Sequence, residues 1–222
     1  SNVGLRMMTE EAVVKDMPLT QNFIRTLHKT ILRDDYTVYR NLPGGVQTSY
    51  VIHSGQYKTR PNSVITRYGD RFEYASPEET PGLMADLVDW YNTAEQEGKL
   101  SPVELAALFH YRYLRIHPFE DGNGRIARAI ADCALARADG CPQRFYSMSG
   151  QIERERRTYY EILERTQKGD LEITPWLEWF LACLRRAVDG AETTLAAVFR
   201  KASVWNRANR HALNARQRAI LN

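Results

Sequence analysis

The stretch from residue 117 to 128 constrains this chain more than any other, because it must end one helix and start another. It reads His-Pro-Phe-Glu-Asp-Gly-Asn-Gly-Arg-Ile-Ala-Arg and lies between two segments whose apolar residues recur at helical spacing. Pro118 disfavours the helical conformation at His117, so the first helix should end just before that histidine. Gly122 and Gly124 permit a tight turn, after which the second helix should begin. The sequence therefore predicts two helices joined by a short, glycine-bearing turn.

This turn carries the residue types that phosphate chemistry requires. Unpaired N–H groups at a helix start, next to a glycine-bearing turn, form a binding site for anions. Arg125 and Arg128 lie three positions apart on the second helix, so they should share a face and reach the same anion. Asp121 suits a magnesium ion that arrives with phosphates, and His117 can accept a proton near neutral pH. The pattern favours phosphoryl or nucleotidyl transfer.

Each of these residues also has an ordinary structural interpretation. His117 could interact with a helix dipole, Asp121 could cap the following helix, and the two arginines could form surface ion pairs. A serine or cysteine hydrolase is disfavoured, because Gly-x-Ser-x-Gly is absent and Cys133 and Cys141 only follow the turn. A zinc site is disfavoured, because neither Cys-x-x-Cys nor His-Glu-x-x-His occurs.

Length and composition fit one large domain, or one domain with an appendage. The chain has 222 residues, and its 43% hydrophobic content is enough for a substantial core. Its net charge of +3 is too small to indicate nucleic-acid binding by itself. Its three cysteines lack metal-ligand spacing and are typical of reduced thiols. No apolar run approaches the ~20 residues that cross a bilayer. We therefore expect a cytoplasmic protein without a membrane span or signal peptide.

Apolar periodicity and capping signals predict a mainly helical fold. Helix starts are expected at four N-cap residues that precede apolar stripes: Thr20, Ser76, Ser101 and Thr174. Helix ends are expected at the glycines at 98, 140, 169 and 190, and Gly190 should also end the domain. One long helix is expected over about 150–167, with Tyr159 and Tyr160 on its broad face. Leu83 should face inward from the helix that follows Ser76.

Residues 35–75 interrupt the helical pattern with glycines and prolines. Two β-prone runs, residues 63–67 and 71–74, flank the sequence Tyr68-Gly69-Asp70, which predicts a hairpin. Placement alone leaves two interpretations of this hairpin, an ordinary surface hairpin and a flap over a site.

The last segment, residues 191–222, differs from the rest of the chain. From Arg200 onward it contains six basic residues and no acidic one. Apolar residues such as Leu195 and Phe199 still suggest a helix. It is either a solvated basic helical tail or an arm that leads into a further domain.

The 117–128 stretch resembles the core motif of the Fic family, His-x-Phe-x-(Asp/Glu)-Gly-Asn-Gly-Arg-x-x-Arg, and fills every fixed position of it. The resemblance extends over roughly residues 10–190. It implies a Fic domain over residues 1–190, all-α apart from a small β-hairpin flap at about 55–75 beside the catalytic loop.

The resemblance also implies an activity, the transfer of AMP from ATP to a Tyr, Thr or Ser hydroxyl of a protein, with release of pyrophosphate. In this interpretation His117 deprotonates the hydroxyl, and Asp121 binds Mg²⁺ bridging the α- and β-phosphates. The phosphate-binding residues would be Gly122, Asn123 and Gly124, through backbone amides with the Asn123 side chain assisting, and Arg125 and Arg128 for the β- and γ-phosphates. Phe119 would anchor the loop in the core.

Further site residues follow from the resemblance. The flap would hold the target peptide as an added strand through main-chain hydrogen bonds at Ser63, Val64, Ile65 and Thr66. Tyr159 and Gln167 match positions that border the adenosine pocket in Fic enzymes. For Tyr159 a place in the core is an equally good interpretation.

Several alternatives stay open at this level. The donor could be another nucleotide, a γ-phosphate or phosphocholine. Residues 213–221 resemble the opening of a winged-helix module, so a DNA-binding regulator acting through the basic C-terminal region is a second class of function. Homo-oligomer formation is also possible in this family. Residues 93–98 match the letters of the family's inhibitory helix, but they are better interpreted as a helix end at Gly98. An inhibitory helix could instead precede residue 1.

Overall fold

Helices carry most of the chain, as the sequence predicts. The structure, a computed structural model, describes residues 2–65, 69, 71–141, 144–169 and 172–208. Within these residues it contains eight α-helices and two antiparallel β-hairpins. In chain order the elements are α1 Asn2–Val14, α2 Gln21–Leu32, β1 Tyr36–Asn41, β2 Gln47–Ile52, β3 Ser63–Ile65, β4 Arg71–Glu73, α3 Thr80–Glu97, α4 Pro102–Ile116, α5 Asn123–Ala138, α6 Met148–Arg154, α7 Arg156–Lys168 and α8 Thr174–Ala208.

The central pair of helices is α4 and α5, which flank the 117–128 stretch. Ser101 starts α4 with the expected capping box, because its hydroxyl accepts from Glu104 N at 3.3 Å and the Glu104 carboxylate accepts from Ser101 N at 2.8 Å. The alanines of α5 allow close packing on α4, and many of them are buried. Helices α3 and α8 also pack on α4, and α1 packs on α5. The loop of residues 117–128 therefore connects two helices that other helices cover.

An aromatic cluster joins α7 and α8 to α4. Trp176 is fully buried and donates its indole N–H to the Ala107 carbonyl at 2.9 Å. His110 and Tyr159, also buried, share a hydrogen bond of 2.8 Å between Nε2 and the phenol oxygen. Burying these rings, with the Trp176 N–H and the His110–Tyr159 pair hydrogen-bonded, stabilises this side of the candidate site.

The predicted single helix over residues 150–167 is wrong, because two helices replace it. Ser147 caps α6 by accepting from Gly150 N at 3.0 Å. Glu155 then leaves the helical conformation, with φ −103° and ψ 22°, and α7 begins after it. The Glu155 carboxylate accepts from Nε and Nη2 of Arg186, at 2.6 and 2.5 Å. This contact with α8 is a tertiary interaction that local periodicity cannot reveal.

The predicted helix end at Gly190 is also wrong, because α8 continues through it to Ala208. Gly190 does not adopt a left-handed conformation, and a glycine inside a helix costs only about 1 kcal/mol relative to alanine. Among the described positions of α8, none beyond Ala187 is buried. The helix therefore extends past the core with its exposed Arg200 and Lys201, and residues 209–222 lie outside the described part. Despite this length, no described helix is long and apolar enough to cross a membrane.

Two side chains and one helix start differ from the sequence-based expectations. Leu83 is 39% and Tyr160 is 51% exposed, because each lies one position away from the buried stripe of its helix. Ser76 and Glu79 exchange the predicted backbone–side-chain hydrogen bonds, yet α3 begins only at Thr80. The intervening turn connects the flap to the helix. At the other end of α3, Gly98 is left-handed and ends the helix, as expected.

The 35–75 segment contains two hairpins rather than the single one predicted. Strands β3 and β4 confirm the predicted hairpin, with Ser63 opposite Glu73. Strands β1 and β2 form a longer hairpin, whose turn is built by Gly44 and Gly45 at φ 90° and 79°. The sequence analysis used these glycines only as helix breakers. Their position between two β-prone runs is the signal that could have revealed the hairpin.

Phe119 is the buried anchor of the catalytic loop, which confirms the expectation for it. Its ring stacks on His28 at 3.9 Å and packs against Tyr57 at 5.3 Å. We expect Phe119→Ala to lower the free energy of unfolding by about 3–5 kcal/mol, because it leaves a cavity in a closed core. Urea denaturation monitored by circular dichroism measures this change.

The matched control is Phe199→Ala on α8, whose ring is 68% exposed. It should change the free energy of unfolding by no more than about 0.5 kcal/mol. Equal losses for the two variants would show that Phe119 is not the anchor of the loop.

Candidate active site

His117 ends α4 in a backbone conformation that residues with side chains seldom adopt. Its φ of 53° and ψ of 60° are left-handed, and its N–H donates to the Tyr113 carbonyl at 2.9 Å. Pro118 explains why the helix cannot continue through His117. The left-handed conformation costs roughly 1–2 kcal/mol for such a residue and persists only where the surroundings hold it. The surrounding residues therefore hold the loop backbone in this conformation.

The His117 imidazole is half-buried and stacks on the Tyr74 ring, with centroids 4.0 Å apart and an interplanar angle of 16°. Its Nδ1 lies 3.4 Å from the Leu114 carbonyl oxygen. We therefore assign the ring proton to Nδ1, which leaves Nε2 as an acceptor. Burial lowers the pKa of His117 to about 4, with a smaller contribution from the Lys58 charge. At neutral pH the imidazole is uncharged and has a lone pair available for a proton.

The start of α5 presents free backbone N–H groups. Gly122, at φ 81°, precedes the helix, and the first bond back to the turn is Ile126 N to Gly122 O at 3.1 Å. The amides of Asn123, Gly124 and Arg125 come before that bond and have no acceptor within the described residues. Three adjacent donors with the positive end of the helix dipole behind them form an anion site.

The Asn123 side chain is bound within the turn instead of facing a ligand. Its Nδ2 donates to the Phe119 carbonyl at 2.6 Å, and its Oδ1 accepts from Phe119 N at 3.0 Å. The side chain is buried. In this conformation Asn123 can offer only its backbone amide to a phosphate, whereas the family resemblance implied that its side chain would assist.

The two motif arginines contact different neighbours. Arg125 pairs with Asp121, with 3.2 Å between Nη2 and Oδ2. Arg128 folds back over the helix start, so that a Cβ added at Gly124 would lie 3.4 Å from its Nη1. The Arg128 Nε is buried and has no partner in the described part of the chain. One guanidinium therefore lies beside the open amides and the other beside the carboxylate.

Asp121 is held from two sides. Its Oδ2 accepts from the Tyr36 hydroxyl at 3.0 Å in addition to Arg125. Its main-chain carbonyl lies 3.2 Å from His28 Nε2, and His28 Nδ1 accepts from Gly55 N at 2.8 Å. Because Nδ1 is an acceptor, Nε2 carries the proton and donates to Asp121. Burial lowers the pKa of His28 to about 4, so this histidine is neutral as well.

The surroundings of Asp121 fit a cation that brings most of its own ligands. Its Oδ1 has no hydrogen bond to any described residue. No group of three or more acidic, histidine or cysteine side chains that could hold a metal occurs among the residues the structure describes. Magnesium is commonly held by one or two carboxylates together with substrate phosphates and water. One half-exposed carboxylate beside an anion site suits magnesium that arrives with a polyphosphate.

A cavity of about 720 Å³ opens in front of the loop. His117 and Gly124 both line it, so the imidazole and one of the three residues with a free amide border the same space. The flap hairpin forms one wall, and Arg40 and Tyr50 of the β1–β2 hairpin form another. The sequence-predicted Asp121, Gly122, Asn123, Arg125 and Arg128 are not among the residues that line it.

Tyr159 and Gln167 both line this cavity, from helix α7. Tyr159 is nevertheless 1% exposed, and its hydroxyl is bonded to His110. Burial raises the pKa of the Tyr159 phenol, so it stays protonated. Tyr159 is a core residue whose edge borders the cavity, and both sequence-based interpretations of it describe part of this position. Tyr160 also lines the cavity and is more exposed.

The flap strand β3 borders the cavity with exposed residues. Ser63, Val64 and Ile65 all line it, and Ile65 is 75% exposed. Within the described residues β3 pairs with β4 alone, so its other edge has no strand partner. Thr66, the fourth expected flap residue, lies outside the described residues. An unpaired edge can accept an extended peptide.

Three residues of the site were missed or assigned no role by sequence reasoning. Tyr36 reaches Asp121 from β1, Tyr74 stacks on His117 from the end of the flap, and His28 supports the Asp121 main chain from α2. His28 is buried, and its contact with the loop spans 93 positions. Such contacts leave no local signal.

Comparison with known proteins gives one consistent result. The model of the Fic/DOC family matches residues 18–135. Protein adenylyltransferase Fic of Nematostella vectensis is 37% identical over 122 residues, which cover 54% of this chain and 26% of that protein. Protein adenylyltransferase Fic of Drosophila mojavensis is 31% identical over 171 residues, covering 77% of this chain and 30% of that protein. The chain thus spans between a quarter and a third of the length of these relatives.

Solved structures agree with the sequence comparison. A Fic domain containing signaling protein from Bacteroides thetaiotaomicron VPI-5482 superposes with a TM-score of 0.69 at 42% identity, over 86% of this chain and 68% of that one. A Fic family protein from Desulfovibrio desulfuricans G20 gives a TM-score of 0.61 at 25% identity, over 84% of this chain and 51% of that one. With the motif, the fold and the family match in agreement, this chain belongs to the Fic/DOC family.

Proposed function

We propose that this domain transfers AMP from ATP to a hydroxyl group of a protein and releases pyrophosphate. The observation that carries the proposal is that His117 and Gly124, one of the residues with a free amide at the start of α5, line one cavity. A proton acceptor and an anion site that border the same cavity suit attack of a hydroxyl on a bound phosphate. The relatives named protein adenylyltransferase support AMP as the transferred group.

In the proposed step, the target hydroxyl attacks the α-phosphorus while the bond from that phosphorus to the bridging oxygen of the β-phosphate breaks. The hydroxyl proton passes to Nε2 of His117, and pyrophosphate leaves. His117 is suited to this role because its Nδ1 faces the Leu114 carbonyl and its Nε2 is unprotonated. A bound triphosphate would raise the low pKa of the imidazole, because negative charge favours the imidazolium.

The phosphates would be held by the chain's own donors. The amides of Gly122, Asn123 and Gly124 would bind phosphate oxygens at the helix start. Arg128, whose Nε has no partner within the described residues, can rotate toward a phosphate without breaking an ion pair. Arg125 would have to share or leave the Asp121 carboxylate, to which it is already bound. A Cβ at Gly124 would come into contact with the Arg128 guanidinium, at 3.4 Å from Nη1.

Asp121 would hold Mg²⁺ through its free Oδ1 while Tyr36 and Arg125 keep Oδ2 in place. Magnesium bound there would neutralise charge that builds up on the phosphates during transfer. Its ligand-poor surroundings mean that the ion and the nucleotide would bind together.

The target would add to β3 as an extra strand. The Tyr74 amide donates to the Asn62 carbonyl at 3.2 Å, so Asn62 and Tyr74 form a hydrogen-bonded pair. Antiparallel pairs alternate, which turns the backbone groups of Ser63 and Ile65 outward and those of Val64 toward β4. The outward groups are the ones that a target backbone would use.

Several earlier alternatives stay predictions. No contact in the described residues distinguishes ATP from another nucleotide, from a γ-phosphate donor or from phosphocholine. A cytoplasmic location, DNA binding through the C-terminal region, formation of a homo-oligomer, and a domain limited to residues 1–190 with a following arm are likewise untested. A donor screen with the purified domain separates the donors: label in the α-phosphate of ATP stays on the target only after AMP transfer, label in its γ-phosphate only after phosphoryl transfer, and labelled donors of other nucleotides or of phosphocholine report those transfers.

We expect His117→Ala to lower the rate of AMP transfer by about 10²- to 10⁴-fold, because no other neutral base faces the cavity floor. The rate is measured with ATP labelled at the α-phosphate, magnesium and a cell extract or the domain itself as acceptor. His53→Ala is the matched control, since His53 is exposed, is paired with Asp35 and does not line the cavity that His117 borders. Transfer that survives in His117→Ala would remove His117 from the mechanism.

The His117 imidazole should titrate near pH 4 in the free protein, because burial disfavours its charged form. In the unfolded chain it binds a proton near pH 6.5, so its contribution to folding is lost as pH falls from about 6.5 to about 4. NMR titration of the ring, assigned with His117→Asn, measures this. A midpoint near 6.5 would contradict burial as the factor that sets the pKa of this ring.

Ile65→Pro should reduce transfer to a protein target by roughly tenfold or more, because it removes an outward N–H of β3 and leaves the β3–β4 bonds in place. Ile65→Ala is the control, since it removes the side chain and keeps the amide. Binding of ATP, measured by calorimetry, should be unchanged in both. Equal transfer by the two variants would argue against strand addition.

A further inference from the structure

The segment between β2 and β3 binds the backbone of the catalytic loop at four consecutive positions. Lys58 Nζ donates to the carbonyl of residue 116 at 2.9 Å, and Lys58 N donates to that of residue 118 at 2.8 Å. Asn62 Nδ2 donates to the carbonyls of residues 117 and 119 at 3.1 and 3.0 Å. Every carbonyl from the end of α4 to Phe119 therefore has a donor from residues 58–62.

Lys58 is an unusual residue for this position, because it is only 3% exposed. Lysine is seldom buried without a carboxylate partner. The Lys58 ammonium donates to the Asn62 Oδ1 at 2.8 Å and to the loop carbonyl, and the charge of Glu79 also favours its protonated form. Burial lowers the pKa of Lys58 to about 8, so the side chain is still mostly charged at neutral pH. A cation at the C-terminal end of α4 also interacts favourably with the helix dipole. The loop carbonyl therefore fixes the position of the Lys58 ammonium, and the ammonium in turn holds the loop backbone.

Asn62 uses its whole amide in this arrangement. Its Oδ1 accepts from Lys58, and its Nδ2 donates to the carbonyls on both sides of Pro118. These carbonyls belong to His117, which is left-handed, and to Phe119, which is anchored in the core. The left-handed conformation needs surroundings that hold it. Asn62 supplies two of the contacts that do so.

The same asparagine joins the loop to the flap. Asn62 immediately precedes Ser63 of β3, and its carbonyl accepts from Tyr74 N at 3.2 Å. Tyr74 follows β4 and stacks its ring on the His117 imidazole. Residues at both ends of the flap hairpin therefore contact His117. Asn62 binds its backbone carbonyl, and Tyr74 stacks on its imidazole ring.

We infer that Lys58 and Asn62 are positioning residues that hold the His117 backbone in its left-handed conformation and register the flap against it. A target strand on β3 would then be placed relative to Nε2 through a few rigid contacts. The catalytic part of this inference rests on the proposed AMP transfer. The ordering of the loop by residues 58–62 does not.

The test uses three variants of the whole chain and two matched controls. Lys58→Met removes the ammonium and keeps the length of the side chain, and Lys58→Arg restores a cation. Asn62→Asp keeps an oxygen for Lys58 but removes both donations to the loop. The controls are Lys99→Met and Asn22→Asp, at exposed positions outside the site. Thermal unfolding identifies any variant that does not fold.

Two kinds of measurement are made on each folded variant. The first is kcat and the KM for ATP in the AMP-transfer assay, and the second is amide hydrogen exchange over residues 117–123. Lys58→Met and Asn62→Asp should lower kcat by about 10- to 100-fold with the KM for ATP within about threefold, because misplaced reacting groups slow chemistry more than binding. Their loop amides should exchange at least about tenfold faster, while α3 amides stay unchanged. Lys58→Arg should recover most of both.

A kcat within about threefold of the unaltered chain, or a loss that Lys58→Arg does not restore, would overturn the positioning role. So would unchanged exchange in the loop. If Lys58→Met fails to fold, Asn62→Asp and Lys58→Arg carry the test. If the unaltered chain transfers no AMP, the proposed function fails by itself, and the exchange measurement still decides whether residues 58–62 order the loop.

Discussion

The structure depends on how backbone groups are satisfied where α4 ends and α5 begins. A turn between two buried helices leaves carbonyls without donors on one side and amides without acceptors on the other. Here the protein treats the two sides differently. Lys58 and Asn62 bind the carbonyls from residue 116 to 119, whereas the amides at the start of α5 have no acceptor within the described residues. One side of the turn therefore has its carbonyls hydrogen-bonded to the protein, and the other side has free amides that can bind an anion.

A second property of the site is that burial keeps the imidazoles of His117 and His28 uncharged. Burial lowers the pKa of both His117 and His28, so neither is charged at neutral pH. In His117 the proton sits on the nitrogen that faces the Leu114 carbonyl, and in His28 on the nitrogen that faces Asp121. One histidine thereby keeps a lone pair toward the cavity, and the other donates to the loop. Two residues of the same type have different roles because their hydrogen-bond partners differ.

Two hairpins complete the site, and they differed in how well they could be predicted. The β3–β4 hairpin follows from two β-prone runs around a turn, and the structure confirms it. The β1–β2 hairpin was missed, although Gly44 and Gly45 form its turn, because the glycines were interpreted only as helix breakers. The contact from Tyr36 of β1 to Asp121 crosses 85 positions. No periodicity within one segment carries information about such a pair. The same reason explains the break at Glu155, which Arg186 holds from another helix.

The sequence by itself determined the helical class, the position of the turn, and the residues that can bind a phosphate, since caps, prolines, glycines and the motif act over a few positions. It also predicted His117 as the base and Asp121 as the metal ligand of the proposed reaction. Only the tertiary structure decided that Asn123 uses its side chain inside the turn, that Arg125 pairs with Asp121, and that α8 continues past Gly190. Each of these depends on which distant atoms meet in the folded chain, because a polar group in a protein interior takes whatever partner the packing brings within reach.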